Sequence, residues 1–153
     1  MKVYRISHLK WSKKLSASGF PARWNSKGKF VIYAASSRAL ACLENVVHRS
    51  GEGLNENFKV MVIEIPSNVK IKEIKKEDLP GDWFTFESYF DCQLIGDSWV
   101  DEQKYAVLKV PSSIIVNECN YVININHKNF KRIKLVAVEN FNFDPRIKGG
   151  LLE

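Results

Sequence analysis

One segment of the sequence changes its apolar period within a few residues, and this change constrains the fold more than any other feature. Residues 30–33 are apolar and rich in β-forming side chains, as a buried strand would be. From Ser37 onward the apolar residues recur at helical spacing, namely Leu40, Leu43, Val46 and Val47. Ser36 or Ser37 can cap the start of this helix, and Gly51 can end it. The sequence therefore predicts a strand that leads directly into a helix over residues 37–50, with that stripe facing the core.

Six further segments have the composition of strands, which brings the predicted total to about seven. They are residues 2–6, 58–66, 69–74, 105–111, 121–125 and 134–141. Residues 58–66 are almost entirely apolar, so we expect that strand to be buried on both faces. The aromatic-rich residues 83–99 are predicted to form two short helical pieces broken near Gly96 and Asp97. Strands and helices do not alternate regularly, which predicts an α+β fold with at least one antiparallel sheet.

The composition is typical of one globular domain in a reducing compartment. The chain has 153 residues, of which 45% are hydrophobic and 26% are charged, and these values exclude a disordered chain. The three cysteines are an odd number and lie far apart, so they predict neither a disulfide framework nor a zinc site. No leader-like segment follows Met1, and no apolar run approaches the ~20 residues of a membrane span. We therefore expect a soluble, cytoplasmic protein.

The formal charge of +6 favours an anionic partner but does not choose between nucleic acid, a phosphorylated metabolite and an acidic protein. Common signatures such as GxGxxG, GxxxxGK(S/T), HExxH and CxxC are absent from the sequence. The histidines, His8, His48 and His127, have no ligand spacing, so no metal site is expected. A non-enzymatic basic module that binds nucleic acid stays open as an alternative of another class.

Four side chains are candidates for a functional site, and each also has a structural explanation. Glu44 falls at the edge of the apolar stripe of the helix, where a carboxylate needs either a partner or a cleft. Arg23 lies in a turn, where its guanidinium can lie across an aromatic ring or bind phosphate oxygens. Tyr33 ends a strand, either packed in the core or stacked on a flat ligand. Ser112 follows Pro111 in a loop and is by default a turn residue.

A series of short motifs spans residues 4–146 in a consistent order. The motifs are YRI at 4–6, RWN at 23–25, VIYAASSRALACLENVVH at 31–48, IGDSW at 95–99, VPSSIIV at 110–116, NYVININH at 120–127 and FDPR at 143–146. Together they resemble the RES domain family, which is named for an Arg, a Glu and a Ser that match Arg23, Glu44 and Ser112 here. The resemblance implies a single RES-like domain over residues 1–153. It also implies an ADP-ribosyltransferase-like core, a mixed or antiparallel sheet with flanking helices.

The resemblance further implies a function. RES proteins are toxins of bacterial type II toxin–antitoxin systems that degrade NAD⁺ by cleaving the N-glycosidic bond between nicotinamide and ribose. The acceptor is water or phosphate, and the alternative is an ADP-ribosyltransferase that modifies a protein. NAD⁺ is then a substrate, and no cofactor is expected. The implied partners are a cognate Xre-like DNA-binding antitoxin and a second copy in a homodimer, with neither membrane nor direct nucleic-acid binding.

The resemblance also assigns roles to individual side chains. The residues that it places in the NAD⁺ pocket are Arg23, Tyr33, Glu44 and Ser112, with Arg5 and His48 in support. Glu44 would stabilise the oxocarbenium-like ribose left by nicotinamide, and Arg23 would neutralise the pyrophosphate. Tyr33 would stack on the nicotinamide ring, and Ser112 would supply a hydrogen bond.

The chain departs from the family pattern at two places. Pro21 and Ala22 stand where glycines usually precede the RWN motif, which narrows the backbone freedom of that turn. The Asn-Pro-x-His of the family is present at residues 124–127 without its proline. We expect the second departure to alter a loop and not the chemistry.

Overall fold

The structure is a computed structural model that describes residues 1–48 and 57–148. Its regular elements are β1 (Lys2–His8), β2 (Val31–Ala35), α1 (Arg38–His48), β3 (Phe58–Glu64), β4 (Ile71–Glu73), α2 (Tyr89–Glu102), β5 (Val107–Pro111), β6 (Cys119–Asn124) and β7 (Lys134–Phe141). The strands form one sheet in the order β4-β5-β6-β2-β1-β3-β7. Only β4 and β5 pair in parallel, and all other neighbours are antiparallel. The predicted α+β fold with a mixed, largely antiparallel sheet is confirmed.

Each predicted strand has a counterpart in the sheet. The bounds of β7 agree with the prediction, and those of the other strands differ by one or two residues at an end. The strand β3 is buried on both faces as expected, because Met61 and Ile63 join one core cluster while Val60 and Val62 join another. The predicted end of the first helix, at residues 49–51, lies outside the described residues.

The prediction of two short helical pieces over residues 83–99 is wrong. Residues 83–88 form turns, and α2 then runs without interruption through Gly96 and Asp97 to Glu102. A glycine followed by an aspartate is typical of a helix break, but here Gly96 serves packing. A Cβ atom at Gly96 would lie 1.8 Å from the carbonyl oxygen of Trp24, so only glycine lets the helix approach this loop.

The predicted apolar stripe of α1 is only partly correct. Leu40 is 1% exposed, but Leu43 and Val47 are 43% and 54% exposed. The helix packs on the sheet through Leu40 and Ala41 instead, so its buried face is rotated away from the predicted stripe. Val47 lies at the rim of a cavity, which explains why an apolar residue stands at an exposed position.

Both helices lie on one face of the sheet. Val31 packs in the cluster under α2, and Ala35 packs in the cluster under α1, whereas Ile32 and Ala34 point to the opposite face. That opposite face is covered by loop residues, among them Leu15, Ala17, Phe130 and Ile133. No helix within residues 1–48 and 57–148 is long and apolar enough to cross a bilayer.

The sheet is split near its centre. The strand β1 pairs with β3 along its whole length, but its register with β2 consists of the single pair Tyr4 and Ala35. Beyond that pair β1 and β2 separate, and the space between them becomes a cleft in the middle of the sheet. The carbonyl of Ile6, on this side of β1, accepts a hydrogen bond from Asn45 of α1 at 3.2 Å instead of from a strand.

Candidate active site

A cavity of about 930 Å³ opens where β1 and β2 separate, which is within the range of small-molecule sites. Its walls are the facing parts of the two strands, α1, and the loops around residues 11–24 and 111–114. Five of the predicted site residues line it, namely Arg5, Arg23, Tyr33, Glu44 and His48. The sixth, Ser112, is fully buried and contacts Glu44 from behind the wall.

Glu44 is a partly buried carboxylate, with its side chain 18% exposed. Its Oε1 accepts hydrogen bonds from Ser112 Oγ at 2.8 Å and from Asn120 Nδ2. Its Oε2 lies 3.3 Å from Nε2 of His48, whose side chain is 71% exposed. Burial raises the pKa of this carboxyl, but the side-chain hydrogen bonds, that of His48 foremost, outweigh burial and place the pKa below its ordinary value. Glu44 is therefore held ionised at the cavity wall.

Ser112 fixes Glu44 and is not itself exposed to the cavity. Its Oγ accepts hydrogen bonds from the backbone N–H groups of Ile114 and Ile115, both at 3.1 Å. The single hydroxyl proton is then left for Oε1 of Glu44, so the hydroxyl has no donor to spare. Ser112 could donate the predicted hydrogen bond to a ligand only if its hydroxyl no longer donated to Glu44.

Arg23 lines the cavity, but its guanidinium is occupied by the protein. It donates to the carbonyl oxygens of Trp83, Phe84 and Thr85 at 2.8, 3.0 and 2.9 Å, and it lies 5.2 Å from the ring centre of Tyr89. The guanidinium therefore fixes the turn that precedes α2. The contact with Tyr89 is closer to the structural explanation of Arg23, a guanidinium across an aromatic ring, than to the predicted role on a pyrophosphate. The ring belongs to a residue that is distant in the sequence.

The turn that carries Arg23 is fixed by α2. Gln93 donates to the carbonyls of Ala22 and Asn25 at 3.0 Å each, and Asp97 accepts from the backbone N–H of Ser26 at 2.9 Å. Ala22 and Asn25 also exchange backbone hydrogen bonds, so the turn closes without glycine. The IGDSW motif thus supplies the contact surface for the RWN motif.

Tyr33 anchors the same turn through its hydroxyl group. The hydroxyl donates to Oδ1 of Asn25 at 2.7 Å and accepts from the backbone N–H of Trp24 at 3.1 Å. Burial raises the pKa of this phenol well above its ordinary value, so it remains protonated. The hydroxyl is thereby satisfied, and only the ring is available to a ligand in the cavity.

Arg5 is a cation of this cavity that has no partner among the described residues. Among residues 1–48 and 57–148, no group forms a hydrogen bond or ion pair with its partly buried guanidinium, and burial lowers the pKa of this group. Ser7 lies two residues further on the same side of β1 and also lines the cavity. Lys14 lines it from the following loop, likewise without an ion-pair partner in the described part of the chain. These three side chains form a positively charged wall opposite Glu44's helix.

Asn120 was missed as an individual candidate, although it lies in the NYVININH motif. It lines the cavity from β6 and donates to Glu44. Motif membership was the available signal, since nothing in the spacing of Asn120 relates it to Glu44. His127 of the same motif is buried away from the cavity and bonds to the carbonyl of Gln103. Within the described residues, no three His, Cys, Asp or Glu side chains are close enough to hold a metal ion.

Three comparisons with known proteins show the family of this chain. The model of the RES domain matches residues 2–144. The "Prs ADP-ribosylating toxin" of Sphingobium sp. (strain YBL2) is 39% identical over 127 residues, 82% of this chain and 79% of that protein. "Toxin Res" of Yersinia enterocolitica is 34% identical, over 97% of this chain and 100% of that protein. The M. tuberculosis MbcT-MbcA toxin-antitoxin complex has a similar fold, with a TM-score of 0.72 at 18% identity over 98% of this chain and 87% of that one. This chain therefore belongs to the RES domain family.

Proposed function

We propose that this protein is the toxin of a bacterial toxin–antitoxin pair and that it degrades NAD⁺ by cleaving the bond between nicotinamide and ribose. The observation that carries the proposal is the ionised carboxylate of Glu44 in a cavity that also holds the unpaired guanidinium of Arg5. This arrangement suits a ligand that carries phosphates and develops positive charge at a sugar carbon. The names of two relatives, both called toxins, support the toxin part of this proposal.

The chemistry needs one well-placed carboxylate. When the bond from ribose C1′ to nicotinamide breaks, its electron pair leaves with the ring nitrogen, and the ribose becomes an oxocarbenium-like cation. Glu44 Oε2, which the protein holds only through the exposed His48, is the oxygen that can stabilise this cation. An oxygen of water or phosphate then bonds to C1′, and the proton that it loses passes to solvent or to the carboxylate.

The phosphates are assigned to Arg5 instead of Arg23. The guanidinium of Arg23 already donates to three backbone carbonyls, whereas that of Arg5 is free to bind an anion. Ser7 and Lys14 lie on the same wall and can add a hydroxyl and a second positive charge. The ring of Tyr33 remains the proposed contact for nicotinamide.

The carboxylate is tested by incubating the purified protein, free of any antitoxin, with NAD⁺ in buffer with and without phosphate. Mass spectrometry should detect nicotinamide together with ADP-ribose or its phosphorylated form, which identifies the acceptor. Glu44→Gln should lower the rate by about 100-fold or more because a neutral amide cannot stabilise the cation. Glu139→Gln, a change of an exposed carboxylate outside the cavity, is the matched control. Intact NAD⁺ under both conditions would show that the proposal is wrong.

The two arginines are separated by measuring both binding and stability. Arg5→Met should raise the KM for NAD⁺ by about tenfold or more, since a charged hydrogen bond to phosphate is lost. Its melting temperature should not fall, because the guanidinium has no protein partner. Arg23→Met should instead lower the melting temperature, because three carbonyls lose their donor. The reverse pattern would contradict the assignment of the phosphates to Arg5.

Transfer of ADP-ribose to a protein is the second candidate function. It is favoured by exposed aromatic rings at the cavity mouth, where Phe20 is 76% exposed and Phe86, at 83%, contacts Tyr89. Exposed apolar patches of this kind are typical of protein docking surfaces. A relative at 39% identity is also named as an ADP-ribosylating toxin. A protein that gains the mass of ADP-ribose in the presence of the wild type, and not of Glu44→Gln, would establish this reaction.

The partner that restrains the toxin is proposed to be an Xre-like DNA-binding antitoxin that covers the cavity mouth. The similar fold in a solved toxin–antitoxin complex supports an antitoxin, and the exposed Val47 at the cavity rim, with the exposed Leu43 one turn earlier on α1, offers an apolar contact. Co-purification with the product of the adjacent gene tests the partner. Light scattering on the free protein tests the homodimer.

A further inference from the structure

We propose that Asn120 is a positioning residue that fixes the Glu44 carboxylate so that Oε2 faces the reacting sugar. This inference rests on the proposed function. It concerns a residue that binds neither the phosphates nor the nicotinamide, and that acts through Glu44 alone.

The backbone of Asn120 is fixed by the centre of the sheet. The strand β6 pairs with β2 on one side and β5 on the other, and Asn120 stands opposite Ala35 and Val110. The side chain therefore starts from a rigid position and extends to the cavity wall, where its Nδ2 donates to Oε1 of Glu44. A donor held by a central strand orients a helix side chain better than one on a loop.

Two donors meet at the same carboxylate oxygen. Ser112 Oγ and Asn120 Nδ2 both donate to Oε1, and neither contacts Oε2. The carboxylate is planar, so fixing Oε1 from two directions also fixes where Oε2 points. Without Asn120 the carboxylate would be held by Ser112 and by the exposed His48, and the donor on the central strand adds the rigid contact that these two lack.

The oxygen atom of the Asn120 amide shows that the contact with Glu44 is made at the expense of stability. Oδ1 of Asn120 is buried without a hydrogen-bond partner within the described residues. Rotating the amide would not relieve this, since Oδ1 would then meet the negative charge of Glu44. An apolar side chain would avoid the unpaired oxygen, so packing alone does not explain an asparagine at this place. Donation to Glu44 explains it.

The charged and titratable groups that share the cavity with Glu44 come from four elements and one loop. They are His48 on the same helix, Tyr4 and Arg5 on β1, Tyr33 on β2, Tyr89 on α2, and Lys14 and Arg23 in the loop between β1 and β2. None of them is altered by a substitution at Asn120. A change in the titration of Glu44 in such a variant therefore reports the contact with residue 120.

The experiment compares Asn120→Asp and Asn120→Ala with the wild type. Asn120→Asp has nearly the same shape but sets a second carboxyl against Oε1, so the acid limb of kcat for nicotinamide release should move up by about one pH unit. Asn120→Ala should lower kcat by about tenfold while the KM for NAD⁺ changes by less than about twofold, because only orientation is lost. Asn120→Ala also removes a hydrogen bond that lowers the pKa of Glu44, so its acid limb should move up as well, whereas truncating a residue that merely packs would leave the limb in place.

Asn124→Asp is the matched control, since Asn124 is buried in the same strand and lies outside the cavity lining. It accepts from the N–H of Asn126 through Oδ1, which aspartate retains, so the acid limb should stay where it is in the wild type. An equal shift in this control would overturn the proposal, as would unchanged profiles in both Asn120 variants. If neither Asn120 variant folds, as judged by circular dichroism, Asn120 is a structural residue and the proposal is wrong.

A second measurement needs no turnover and separates this proposal from the proposed function. The Glu44 carboxyl carbon can be titrated by NMR in the wild type and in Asn120→Asp. If the wild type leaves NAD⁺ intact, the proposed function fails, and a higher Glu44 pKa in Asn120→Asp still supports the contact. Identical titration curves would overturn the role of Asn120 even if NAD⁺ is degraded.

Discussion

Replacing Gly96 with alanine tests how α2 holds the turn that carries Arg23. The new Cβ would lie 1.8 Å from the carbonyl oxygen of Trp24 and 2.6 Å from its carbonyl carbon. Both are backbone atoms, so no side-chain rotation can relieve the overlap. Non-bonded heavy atoms are comfortable at about 3.5 Å, so the turn and the helix must separate by about 1.5 Å or more.

A displacement of this size breaks the hydrogen bonds that join the two elements. Gln93 would lose its acceptors at Ala22 and Asn25, and Asp97 would lose the N–H of Ser26. At about 1 kcal/mol each, these three bonds amount to about 3 kcal/mol. Alanine returns about 1 kcal/mol through its higher helix propensity. The free energy of unfolding should therefore fall by about 2 kcal/mol, or about 4–8 °C in melting temperature for a domain of this size.

The assay is a thermal melt of Gly96→Ala beside the wild type and Gly81→Ala. Gly81 has open space around it, with no heavy atom within 4 Å of an added Cβ, so its variant should melt within about 2 °C of the wild type. We also expect Gly96→Ala to lose most of its NAD⁺ degradation, since Tyr33, the proposed nicotinamide contact, is anchored to Trp24 and Asn25 of this turn. A Gly96→Ala protein that melts with the wild type would show that α2 does not clamp the turn.

Two further predictions concern hydrogen bonds at the cavity wall. Tyr33→Phe removes the hydroxyl that bonds Trp24 and Asn25 but keeps the ring, so urea unfolding should show a loss of about 1–3 kcal/mol; an unchanged midpoint would contradict the anchoring role. The pKa of Glu44 is lowered by folding, so its ionised form stabilises the protein fully above the ordinary carboxyl pKa, and this stabilisation is lost as the pH falls through the lowered value. The difference in unfolding free energy between the wild type and Glu44→Gln should accordingly become smaller from pH 6 to pH 3. A difference that stays constant over this range would contradict the stabilising role of the ionised Glu44.

The strands could be predicted from the sequence because their burial follows a simple pattern. Runs such as residues 58–64 and 107–111 are mostly apolar and rich in β-branched residues, and most of their side chains are buried. The face of α1 could not be predicted in the same way, since the rim of a cavity is as apolar as a core. Leu43 and Val47 continue the helical period of Leu40 but are exposed, and Val47 lines the cavity. A hydrophobic period locates an apolar surface and does not say what covers it.

The continuous course of α2 depended on a contact that no local pattern contains. Gly96 and Asp97 are poor helix formers next to each other, and propensity alone favours a break there. Their helical state is stabilised by a turn about 70 residues earlier, which needs the missing Cβ of Gly96 and the carboxylate of Asp97. Tertiary packing therefore decides the local structure at this position.

The roles of the two arginines show most clearly where local sequence information ends. Arg23 and Arg5 each lie near aromatic residues in a motif of the family, and residue type alone makes either a phosphate ligand. A guanidinium is available to a ligand only if the fold gives it no acceptors. The turn at residues 83–85 presents three carbonyls to Arg23, whereas Arg5, where β1 separates from β2, has no side-chain acceptor among the described residues. The break in the sheet thus opens the cavity and also frees the positive charge within it, so the same topological feature determines both the space for a ligand and its chemistry.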